Sequence, residues 1–175
     1  MLGSPSISNS LFEDSIMPSL PICYSRLLGL SMMAILALSV AVASAELKKG
    51  DRVVFLGDSI TQAGAGPGGY VTLVREALDK GHKDLEIEVI GAGISGNKVP
   101  DLERRLERDV LAKKPTVVVI YIGINDVWHS ERGQGTEIGA YEAGLRSLVK
   151  RCNDAGARVI LSTPSVIDEK TDGTN

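Results

Sequence analysis

The chain of 175 residues has little cysteine, histidine or aromatic side chain, and each scarcity narrows what it can be. Cys23 precedes a long apolar run that reads as a leader, so Cys152 is the only thiol of the part that follows. With no partner for it, that part must hold its core together without a disulfide. The two histidines, His82 and His129, lie too far apart to give ligand spacing, which argues against a metal enzyme. Aromatic residues make up 4% of the chain, a thin supply for an extended sugar-stacking platform. Charge of one sign is missing too: 19 Lys and Arg against 22 Asp and Glu leave a net −3, with the cations scattered. Such a surface offers no footprint for nucleic acid. Internal repeats, low-complexity linkers, phosphate-loop patterns and kinase patterns are all absent, so a single domain is expected.

What is present begins with a leader. Arg26 is followed by an apolar run, 27–43, that ends in Ala43-Ser44-Ala45, the arrangement of a secretory signal with cleavage expected after Ala45. Residues 1–45 are therefore read as leader and signal peptide, with Met17 an alternative start, and 46–175 as the domain. The implied location is secreted or periplasmic. The alternative is an anchor formed by 27–43, but that run falls short of the roughly 20 apolar residues a span needs.

From Asp51 on, short β-rich runs alternate with amphipathic stretches, the pattern of βαβ units around a parallel sheet. Strands are predicted over 52–56, 85–90, 116–122 and 158–162. Helices are predicted from Tyr70 to a glycine cap at Gly81, from Pro100 to a stop at Pro115, and from Ile138 to Gly156. The unbroken β-branched run 116–122 suits a central strand buried on both faces. The fold class is α/β, a three-layer α/β/α arrangement with a flavodoxin-like parallel sheet, short of a final helix and a fifth strand.

Right-handed crossovers put every strand's carboxyl end on one edge, which is where open α/β sheets bind ligands. Three loops follow the strands there: Gly57-Asp58-Ser59-Ile60-Thr61, the stretch from Gly91 to Asn97, and Gly123-Ile124-Asn125-Asp126. Ser59 alone is an ordinary turn or cap residue. Beside Gly96, whose N–H can be approached closely, and Asn125, whose side chain is an amide donor, it gains what an acyl-transfer site needs: a nucleophile and donors for an oxyanion.

At this point the residues resemble the SGNH hydrolase family of GDSL-like lipases and esterases. Gly57-Asp58-Ser59-Ile60 matches its first block, Gly96 in Ile94-Ser95-Gly96-Asn97 its glycine block, and Gly123-Ile124-Asn125-Asp126 its G-x-N-D block, in the family's order. The resemblance implies an esterase that needs no cofactor. Ser59 attacks the ester carbonyl, and the Ser59 N–H, the Gly96 N–H and the Asn125 amide hold the developing oxyanion. The family's D-x-x-H block, which supplies the general base and its carboxylate, has no match in the tail that contains Asp168 and Asp172. The chain is therefore expected to be truncated, and inactive or weakly active as it stands.

Asp58, Asp126, Trp128 and His129 complete the candidate lining of the substrate cleft. Asp58 can also brace the serine turn, and Asp126 suits a structural partner of nearby backbone. His129 lies on the correct edge for touching substrate, whereas His82 belongs at the opposite edge. Trp128 can stack on a sugar ring or acyl chain, or pack as a rim residue. The implied substrates are carbohydrate O-acetyl, lysophospholipid or short-acyl esters. Two other readings compete. A dinucleotide site rests on the G-x-G-x-x-G strings that begin at Gly64 and Gly91, but the acidic residue that should follow is missing. A carbohydrate- or lipid-binding module rests on the absent base.

Overall fold

The computed structural model describes residues 46–165. The expected leader and signal, 1–45, and the polar tail lie outside that span; among the described residues no helix is long and apolar enough to cross a membrane.

Four parallel strands form one sheet in the order β2-β1-β3-β4: β1 Arg52–Gly57, β2 Glu88–Gly93, β3 Val117–Tyr121 and β4 Arg158–Leu161. This is the flavodoxin-like order, with the chain leaving β1 on one side for β2 and then crossing to β3 on the other. Among the described residues five α-helices connect or follow the strands: α1 Ser59–Gly64, α2 Tyr70–Gly81, α3 Val99–Asp109, α4 Ile124–Trp128 and α5 Ile138–Asp154.

Alternation along β1 divides the core into two layers. Val54 and Leu56 point to the face covered by α3 and α5, where they meet Leu102, Leu106, Val118, Ile120 and Leu148, all fully buried. Val53 and Phe55 point to the other face and pack with Val71, Val74 and Leu78 of α2. Helices on both faces of one sheet make the three layers that the periodicity predicts, and each buried leucine contributes about 1.5–3 kcal/mol relative to its exposed state.

The structure corrects the sequence reading in two places. The second strand starts at Glu88 rather than at Leu85, because Lys83–Leu85 forms a turn of 3₁₀ helix and Glu86 takes a left-handed φ of 50°. It then continues through Gly91 to Gly93, where a loop was expected. Pairing explains this: Phe55 sits opposite Gly91 and Gly57 opposite Gly93, so β1 supplies a ladder that hydrophobic periodicity cannot reveal. The short helices α1 and α4 were also unforeseen, being too short to show a period.

Cys152 faces the core from α5 and is fully buried. Burial pushes its thiol up to about 11. Since only the thiolate reacts, alkylation at pH 8 should be slow in the native protein and rapid in urea. Iodoacetamide labelling, located by peptide mass mapping, checks this; fast native labelling at Cys152 would show the helix to be open. The linkage has a definite sign as well. The folded-state value lies above the unfolded one, so the contribution is intact below pH 9 and is lost as pH rises towards 11.

Candidate active site

The carboxyl ends of β1 and β3 lie side by side at the point where the strand order reverses, and the three loops that follow β1, β2 and β3 start from this edge. Asp58 caps α1: its carboxylate accepts the Ile60 N–H at 2.9 Å, and Ser59 is the first helical residue, half-buried. The helix lies directly on the sheet edge because glycines clear its path. A Cβ at Gly57 would come within 2.1 Å of Thr61 Oγ1 and 2.5 Å of the Tyr121 carbonyl oxygen. One at Gly93 would come within 2.1 Å of the Gln62 nitrogen. Both strand ends must therefore lack side chains for Ser59 to sit where it does.

Gly96 is a glycine for a different reason. Its surroundings are open, but its φ of 74° is left-handed, a conformation that costs a residue with a Cβ. The resulting turn is held to α1 by the Ser95 N–H, which donates to Gln62 Oε1 at 2.7 Å. Neither the Ser59 N–H nor the Gly96 N–H has an acceptor among the described residues. Asn125, 4% exposed, donates one amide N–H to the Asn97 carbonyl at 3.0 Å and so is fixed against the same turn. An amide nitrogen carries two hydrogens, which leaves Asn125 a second donor. Hydrogen bonds thus join the serine helix to the glycine turn and the glycine turn to the asparagine.

Asp58 and Asp126 are 1% and 2% exposed, too deep to line a cleft, and both hold backbone instead. Asp126 Oδ1 accepts the Val99 N–H at 3.1 Å, docking the start of α3 on α4, while its carbonyl accepts Ser130 Oγ and the Thr136 N–H. Asp126 Oδ2 is buried without a protein partner among the described residues. Burial, and secondarily the charge of Asp126, raise the Asp58 pKa above its ordinary range. These two aspartates are bracing residues, and the substrate contact expected of them is replaced by that role.

Trp128 is 56% exposed, beside Val127 at the rim, and its ring lies 5.9 Å from that of His129. His82 is exposed beyond the end of α2, next to the turn whose Leu85 carbonyl binds the Gly50 N–H at the far edge of the sheet. Among the described residues no hydrogen bond joins a histidine to Ser59. The first two glycines of the string beginning at Gly91 are paired inside β2, so no phosphate-binding turn forms there.

Sequence reasoning missed Gln62, Asn97 and Arg105. Arg105 left a usable signal, since it stands three residues after Leu102 and next to Leu106, on the stripe that α3 buries. Gln62 and Asn97 left none, because their role exists only when separate loops meet.

Comparison with known proteins places these features in context. The model of the GDSL-like Lipase/Acylhydrolase family matches residues 55–174. An acetylxylan esterase of Geobacillus stearothermophilus is 40% identical over 139 residues, covering 70% of this chain and 64% of that protein. The isoamyl acetate-hydrolyzing esterase 1 homolog of Rattus norvegicus is 30% identical over 127 residues, covering 67% and 49%. Among solved structures, the acetyl xylan esterase AlAXEase matches with a TM-score of 0.64 at 48% identity, covering 71% of this chain and 63% of that one. The Geobacillus acetylxylan esterase Axe2 matches with a TM-score of 0.63 at 39% identity, covering 67% and 61%. The chain thus spans less than two thirds of the length of each of these relatives.

Proposed function

The chain belongs to the GDSL-like lipase/acylhydrolase family, and on that premise we propose that the whole protein is an exported serine esterase that removes acetyl groups from carbohydrate. The observation that carries the reading is the hydrogen-bonded junction of three loops: Gln62 to Ser95 and Asn125 to Asn97 hold the serine turn, the Gly96 turn and the asparagine at one sheet edge.

In this mechanism Ser59 Oγ attacks the ester carbonyl carbon and its proton passes to a histidine. Charge builds on the carbonyl oxygen, where the Ser59 N–H, the Gly96 N–H and the second Asn125 N–H are available to receive it. Collapse expels the sugar hydroxyl, which takes the proton back, and leaves an acetyl-serine. Water then attacks that ester, giving acetate and free Ser59. The histidine and its carboxylate are assigned to a segment beyond the described residues. In support, catalytic mutants of Axe2 include replacements of a serine, an aspartate and a histidine.

Acetylated carbohydrate is favoured over long-chain esters because the most similar relatives named above are acetylxylan esterases. The exposed Trp128 offers an aromatic face at the rim for a sugar ring. Export by cleavage after Ala45, with the domain beginning at residue 46, belongs to the same proposal.

The test compares acetate release from acetylated xylooligosaccharides with fatty-acid release from a lysophospholipid, using the whole protein. Acetate release with little action on the lysophospholipid is expected. Sugar binding without release of acetate would instead establish the binding module.

A further inference from the structure

Arg105 is a cation buried in the middle of α3, 7% exposed, and the mechanism above gives it no task. A buried charge is tolerated only when its donors are matched, and here each edge of the guanidinium finds an acceptor. Nη2 donates to the Gly57 carbonyl at 2.8 Å, Nε to Asn97 Oδ1 at 2.7 Å, and Nη1 to Asp109 Oδ2 at 3.1 Å. Asp109 neutralises the charge. The other two bonds go to the site.

Gly57 is the last residue of β1, two before Ser59, and its carbonyl also accepts the Ile94 N–H at 3.2 Å. Asn97 follows Gly96, and its carbonyl is the acceptor that fixes the Asn125 amide. One rigid planar fork therefore grips the strand before the nucleophile and the residue after the glycine donor, and through Asn97 it reaches the third donor. We propose that Arg105 is the positioning residue of the oxyanion site, setting the spacing between Ser59, Gly96 and Asn125 without touching substrate. This inference rests on the esterase reading.

Lysine carries the charge but lacks the fork, so it cannot span acceptors on two loops in the same way. Slack at this point moves the donors relative to the oxyanion, and misplacement by about 1 Å can cost about 100-fold in rate. Ground-state binding of the sugar is untouched, so the loss should fall on kcat with KM nearly constant.

The experiment uses the whole protein, with a fluorophosphonate probe to count reactive serines and p-nitrophenyl acetate to measure turnover per reactive serine. Arg105→Lys is expected to lower kcat about 10- to 100-fold, at unchanged KM, in the fraction that folds. Asn97→Ala, a half-exposed position outside the core, removes one prong while leaving the guanidinium in place, and should give a smaller loss with the same kcat signature. If Arg105→Lys does not fold, Asn97→Ala still decides the matter. Full kcat per reactive serine in either folded variant overturns the inference. Failure of the unmodified protein to take up the probe at Ser59 would overturn the esterase reading, a distinguishable result.

Discussion

Replacing Ser59 with alanine is expected to lower kcat of the whole protein towards an aryl acetate by about 10⁴-fold or more, the scale seen when a nucleophile is removed from a triad. The change should leave stability nearly untouched. Ser59 occupies the first position of α1, and the cap of that helix is the Asp58 carboxylate on the Ile60 N–H, which alanine does not disturb. Alanine also suits a helix. The matching control is thermal unfolding, with both proteins expected to melt within a few degrees of each other. Equal turnover by Ser59→Ala and the parent would remove Ser59 from the reaction.

Asn125→Ala should be the next most damaging change, with kcat falling about 10²- to 10³-fold, equivalent to about 3–4 kcal/mol of transition-state stabilisation. KM should move little, because the donor acts on charge that develops only during the reaction. A second effect follows from the bond between Asn125 and the Asn97 carbonyl. Truncation leaves that carbonyl without its amide partner, at a cost of about 1–3 kcal/mol in stability if it stays dry. Urea titration beside steady-state kinetics separates the two losses. A variant that is destabilised yet keeps its kcat would show that Asn125 is a brace for the Gly96 turn and no part of the oxyanion site.

The fold was largely legible from periodicity. The run 116–122 contains β3, buried as a central strand should be, and Leu102, Leu106 and Leu148 lie inside, where helical spacing put them, whereas on α2 it is Val71 that is fully buried and Leu73 that is exposed. The failures have a common cause. Gly91 to Gly93 look like loop because they carry almost no side chain, but a strand is defined by its partner's backbone, and β1 was the partner. For Asp58 and Asp126 the sequence offered both a cleft role and a bracing role, because carboxylates are usually exposed but also accept backbone N–H groups at helix starts, and the bracing role is the one observed. Both are buried because the Ile60 and Val99 N–H groups need acceptors at the starts of helices.

Local chemistry was enough to identify a parallel α/β sheet, the edge at which its loops gather, and the three residue types that could work there, because hydrophobic period, turn glycines and hydrogen-bonding capacity are properties of short stretches of chain. The grip of Arg105 on Gly57, the bracing by Gln62 and Asn97, and the hold of Asp126 on Val99 depend on atoms 27 to 48 residues apart in sequence meeting within about 3 Å. Such meetings are set by how α1, α3 and α4 pack against the strand ends, and no short stretch of chain contains that packing.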